Sequence, residues 1–114
     1  MNESILNTIK QLLGITEEQT EFDTDVIIHI NTVINMLHQL GVFNSASEVF
    51  QITGPQETWS EFLTDISKYN MVKSCIYLKV KLLFDPPLNS TVISSMERQI
   101  SELEFRLMEN HNDI

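Results

Sequence analysis

At 114 residues, with 16 acidic against 7 basic side chains and a net charge of -9, the chain is expected to form one acidic domain, large enough to bury about two thirds of its unfolded surface without staples. That charge argues against a protein that grips nucleic acid, because such affinity comes mainly from lysine and arginine neutralising phosphates. The single cysteine excludes an intramolecular disulfide and a cysteine-cluster zinc site.

Met1 is followed by acidic and polar residues with no long apolar run, so neither a signal peptide nor a membrane span is expected, and the protein is read as soluble and made in a cytoplasm. Ser4 or Asn2 can cap a first helix whose apolar positions Ile5, Ile9, Leu12 and Leu13 keep helical spacing until Gly14 ends it. Five carboxylates, Glu17, Glu18, Glu21, Asp23 and Asp25, crowd the next stretch. They suit a solvated loop that also places negative charge at a helix N-terminus, where the macrodipole favours it. A second helix begins near Asp23 or Thr24 and carries Val26, Ile30, Val33, Leu37 and Leu40 on one face, with Ile27 and Ile34 beside them, stopping at Gly41. His29 and His38 fall on its polar side, at a spacing that does not bring two imidazoles onto one metal.

From Gly41 to Pro55 the periodicity fails and Asn44, Ser45, Ser47, Thr53, Gly54 and Pro55 give the chain loop chemistry. Val42, Phe43, Val49, Phe50 and Ile52 are too apolar for an ordinary solvated loop. Either they fold back on the core, or they form an extended arm over about 42-56, with a short strand, that packs on a neighbouring subunit. Between Glu57 and Lys68, the spacing of Trp59, Phe62, Leu63 and Ile66 predicts a short helix; Trp59 is either a core anchor or an interface hot spot.

Met71 to Phe84 is nearly continuous in apolar residues, with lysines only at 73, 79 and 81, and Cys75 reads there as a small buried hydrophobe. Pro86 and Pro87 stop that helix. Asn89 or Ser90 can cap a new one, in which Val92, Met96, Ile100, Leu103 and Leu107 recur at spacings of four, four, three and four. Arg98 with Glu102, and Glu102 with Arg106, lie four apart on its wet side, each pair worth about 0.2 to 0.5 kcal/mol. Residues 109-114 lose the apolar pattern and are read as a flexible tail behind a single domain over 1-108. The fold class is therefore all-α: a compact bundle of four to five helices with an irregular apolar arm and a flexible C-terminal tail.

Catalytic signatures are missing from the sequence. Gly14, Gly41 and Gly54 stand alone and form no phosphate loop, no nucleophile comes with a recognisable base, and Asp23-Thr24-Asp25 does not continue into a calcium loop. No enzyme, cofactor or metal is expected.

The run Tyr77-Leu78-Lys79-Val80-Lys81-Leu82-Leu83-Phe84-Asp85-Pro86-Pro87, followed by Ile100-Ser101-Glu102-Leu103-Glu104-Phe105-Arg106-Leu107, resembles the C-terminal half of small head-tail connector proteins from long-tailed bacteriophages. Ile9-Lys10-Gln11-Leu12-Leu13-Gly14-Ile15 resembles the first helix and turn of the same family. The resemblance implies a structural virion protein at the head-tail interface, made in the host bacterial cytoplasm. Its partners would be the portal protein, neighbouring copies of itself in a ring, and a stopper or tail-completion protein.

Carried onto this chain, the resemblance makes Phe105, Arg106, Leu107, Met108 and the tail through Ile114 candidates for portal binding, although Phe105 and Leu107 also suit a core. Phe43, Val49, Phe50, Ile52 and Trp59 become candidates for an arm that meets a neighbour or another neck protein. Glu17, Glu18, Glu21, Asp23 and Asp25 become candidates for the lining of a DNA channel, where negative charge would repel phosphates and let the duplex slide. From the residues alone, a small acidic helical regulator or inhibitor of a single protein partner remains the alternative.

Overall fold

The Ser4 hydroxyl accepts a hydrogen bond from the Asn7 amide at 3.1 Å and starts the first helix, α1 (Ile5–Leu13), which Gly14 ends in the left-handed region at φ 84. These and the following details come from a computed structural model, which describes residues 2–43, 50–63 and 65–112. The buried side of α1 is Ile5, Leu6, Ile9 and Lys10. Leu12, expected in the core, is instead 45% exposed. Lys10 takes an inward position because it lies one helical turn from Leu6, and its long stem can follow apolar surface while its charge finds a partner.

The second helix, α2 (Asp23–Gln39), buries Val26, Ile30, Val33, Ile34 and Leu37, the stripe its spacing predicts. Leu40 caps its C-terminus and stays partly exposed. Gly41 follows at φ 82, with the Gly41 amide on the His38 carbonyl and the Val42 amide on the Leu37 carbonyl, a turn that satisfies the last helical acceptors.

On either side of residues 44–49, which lie outside the described residues, the apolar loop folds back. Val42 and Ile52 are buried, while the rings of Phe43 and Phe50 meet Phe62 at centroid distances of 5.2 and 5.0 Å. Asn31 of α2 pins this return: its side chain accepts from the Ile52 amide at 2.8 Å and donates to the Ile52 carbonyl at 3.0 Å. No strand occurs among the described residues; Ser4 and Thr58 form one isolated antiparallel bridge. Around it the Ile5 amide donates to the Glu57 carbonyl and the Trp59 amide to the Glu3 carbonyl, tying the starts of two helices together.

The single short helix expected between 57 and 68 is split. Helix α3 (Trp59–Phe62) ends where Leu63 becomes extended, at φ -119 and ψ 125, and a separate 3-10 turn follows over Ile66–Lys68. Asp65 initiates that turn by accepting from the Ser67 amide at 2.9 Å, a local bond that competes with helix continuation. Consequently Ile66, placed on the apolar side by spacing, is 74% exposed.

Helix α4 (Tyr69–Phe84) is the centre of the bundle, packing against α1, α2 and α5. Val72, Cys75, Ile76 and Val80 are buried there. After Pro86 and Pro87, Asn89 accepts from the Thr91 amide at 2.7 Å and opens α5 (Ser90–Asn112). Met96, Ile100 and Leu107 of α5 are buried, whereas Val92, expected on the same stripe, is 44% exposed. The helix runs through Glu109 to Asn112, so the segment read as tail begins as helix. The principal extents are 42 × 35 × 20 Å, and the shortest matches two layers of helices, each about 10 Å thick.

Candidate assembly surfaces

The last turns of α5 divide the C-terminal candidates by helical phase. Leu107 continues the inward stripe and is wholly buried, and Met108 packs half-buried beside the same core. Phe105 lies two residues from both Leu103 and Leu107, which turns it about 200° away from them. It is accordingly 64% exposed. Arg106 is also outward, and its guanidinium donates to the Glu102 carboxylate at 2.8 and 3.2 Å. An exposed pair of this kind is worth little in stability, about 0.3 to 0.5 kcal/mol. The structure therefore presents Phe105 and Arg106 together, and leaves Leu107 in the core role that its spacing also allowed. Ile114 lies outside the described residues.

Of the arm candidates, Ile52 and Trp59 are core residues, while Phe43 meets Phe62 edge-on and Phe50 stacks on it. The Trp59 indole N–H donates to the Thr8 hydroxyl at 3.1 Å, satisfying the one polar atom that its burial would otherwise strand. Phe43, Phe50 and Ile52 lie folded back on the core and Trp59 sits as a core anchor, and among the described residues no segment extends as an arm. Val49 lies outside the described residues.

Among the acidic candidates, Glu17, Glu18, Glu21 and Asp25 are exposed. Asp23 differs, because its carboxylate meets the buried Lys10 ammonium at 2.8 Å. The same ammonium donates to the Glu17 carbonyl at 3.3 Å. Lys10 escaped the sequence reading because a lysine was not counted with the apolar stripe, although its spacing from Leu6 places it there.

A groove of about 430 Å³ between α2, α4 and α5 is another feature the sequence did not reveal; Val33, Met36, Leu82, Leu83 and Ile100 supply its apolar wall. Met36 and Leu83 are 42% and 51% exposed. Near it, Lys79 of α4 pairs with Glu104 of α5, joining the two helices that Pro86 and Pro87 separate in the chain.

The titratable groups show the same structural character. Burial, with the Glu104 carboxylate adding to it, pushes the Cys75 thiol up to about 12, which leaves no thiolate for nucleophilic chemistry at neutral pH. At Glu57 burial opposes ionisation, yet hydrogen bonds from Thr53 and Gly54 outweigh it and hold the carboxyl below its usual range. Asp65 is likewise lowered, by the Ser67 hydroxyl and amide. His29 is half-buried against the Phe84 ring at 6.3 Å. Among the described residues no group of three or more His, Cys, Asp or Glu is placed to hold a metal, and no helix is long and apolar enough to cross a membrane.

The family model described as Phage connector protein matches residues 5–113 of the chain. No curated protein and no solved structure matches it.

Proposed function

The chain belongs to the phage connector protein family, and from that premise we propose that it is a head-tail adaptor that assembles as a ring beneath the portal and gives a stopper or tail-completion protein somewhere to dock. A connector has a structural role within the virion and works through interfaces with other head and tail proteins. The match over residues 5–113 is the observation that carries the proposal, since it spans both the helical core and the outward end of α5.

In this reading the portal contact is made by Phe105 and Arg106, with the chain beyond them through Ile114 completing it. A large exposed aromatic beside an arginine is the composition of an interface hot spot. Met108 supports the contact from the core side. The exposed carboxylates of Glu17, Glu18, Glu21 and Asp25 would face the DNA path, where like charge keeps the duplex from sticking. The small-regulator alternative draws on net charge alone, and family membership lends it no support.

The test is binding of purified protein to the portal ring from the same genome. Phe105→Asp should weaken attachment at least tenfold, as loss of a hot-spot side chain worth about 2 kcal/mol would, while Leu12→Ser, at an exposed site on α1, leaves attachment unchanged. Equal binding by Phe105→Asp and the parent protein would overturn the portal assignment.

A further inference from the structure

We infer that Lys10 is a positioning residue for the acidic loop, a buried latch that fixes residues 16–22 against the corner of α1 and α2. Between Ile15, which packs against the core, and Phe22, whose ring meets Phe84 edge-on at 5.7 Å, the sequence Thr16-Glu17-Glu18-Gln19-Thr20-Glu21 has no apolar residue, and all six residues are exposed. Burial therefore cannot hold this stretch. Its own hydrogen bonds are local: the Thr16 amide on the Gln19 side chain at 3.0 Å, the Gln19 amide on the Thr16 carbonyl at 3.1 Å, and the Asp23 amide on the Thr20 carbonyl at 3.2 Å. Such turns shape a loop without attaching it to the body.

Among the described residues, the polar attachment runs through one atom. The Lys10 ammonium, on a side chain 2% exposed, donates to the Glu17 carbonyl at 3.3 Å and pairs at 2.8 Å with Asp23, the first residue of α2, so it grips the loop near its start and the helix residue into which the loop runs. Asp23 Oδ1 is shut away from solvent and accepts no well-directed hydrogen bond, which leaves the Lys10 charge as its compensation. Remove that charge and the carboxylate must rotate into water, carrying the loop end with it. The consequence is that Glu17, Glu18, Glu21 and Asp25 are presented from a fixed loop. This inference rests on geometry and holds whether or not the loop faces a DNA path.

Limited digestion with a glutamate-specific protease reads the latch directly, because Glu17, Glu18 and Glu21 are cleavage sites in the loop while Glu102 and Glu104 lie inside α5 and are cut only when the bundle opens. Lys10→Met should raise cleavage in the loop about tenfold, with cutting at Glu102 and Glu104 unchanged, since proteolysis follows the population of the locally open form. Lys10→Met/Asp23→Leu removes both charges and protects against misfolding of the single variant; it should show the same loop-selective gain, because the tie to the Glu17 carbonyl is also gone. Lys10→Arg, which keeps the charge, should restore most of the protection. Parental cleavage of the loop in the folded double variant, or a rise shared equally by Glu102 and Glu104, would overturn the inference.

Discussion

Trp59 shows how one residue can join distant parts of the chain: its ring is wholly buried against Phe62 and Tyr69, and its N–H reaches Thr8 on α1. Trp59→Ala should cost about 3 to 5 kcal/mol in urea unfolding, and Thr8→Val, which strands the indole N–H, about 1 to 3 kcal/mol. A loss below 1 kcal/mol for Trp59→Ala would mean that the indole contributes little to the core. Cys75 gives a pH-dependent test. Its thiol ionises near 12 in the folded chain against 9 when unperturbed, so between those values the unfolded state gives up its proton first and gains stability relative to the fold. The contribution of Cys75 is present in full below pH 9 and is lost as pH rises towards 12. Thermal stability should fall more steeply over that range in the parent than in Cys75→Ala, and parallel slopes would contradict the assignment. A thiol reagent at pH 8 should label the protein only after unfolding.

At the scale of elements, α2, α4 and α5 were legible because each buries a stripe at three- and four-residue spacing, and because Gly41 and Pro86-Pro87 end two of them by backbone chemistry that tertiary packing does not override. The break between α3 and the 3-10 turn was not read, though Asp65 two residues before Ser67 carried the signal for a local turn. Which apolar residues stay outside was hidden where packing and not phase decides, as at Leu12 and Val92, both on a predicted stripe yet 45% and 44% exposed. Phe105 and Leu107, both apolar and near the end of one helix, are separated by phase, since Leu107 continues the stripe of α5 that packs on α4 and Phe105 lies two residues off it. The pair makes a sharp prediction: Leu107→Asp should remove several kcal/mol of stability by placing a charge in the core, whereas Phe105→Asp should change unfolding by less than about 0.5 kcal/mol. Similar destabilisation by both would mean that α5 turns a different face to α4.

Over the whole molecule, helices two layers deep sit around α4, and the apolar loop at Ile52 is drawn onto them by Asn31. Residues 9–15, 77–87 and 100–107 carried the family resemblance in the sequence, and the family model extends it over 5–113. The position of the surfaces was less legible, because exposure depends on contacts between residues far apart in the chain. Among the described residues, six of the seven cations have partners: Lys10 with Asp23, Lys68 with the Val42 carbonyl, Lys73 over the Tyr69 ring, Lys79 with Glu104, Lys81 with Asp85 and Arg106 with Glu102. The net charge of -9 is thus displayed mainly by exposed carboxylates, and a contact made through them would depend steeply on ionic strength. If the contact is led by Phe105, it should weaken less than tenfold between low and physiological salt.

If this connector docks on a portal as a ring, as we propose, electron microscopy of the purified protein mixed with the portal ring of the same genome, beside each component alone, should show an added annulus of density at the tail-side end of the portal, with the C-terminal end of α5 against it. Portal particles with no added density, while both proteins remain folded, would contradict it.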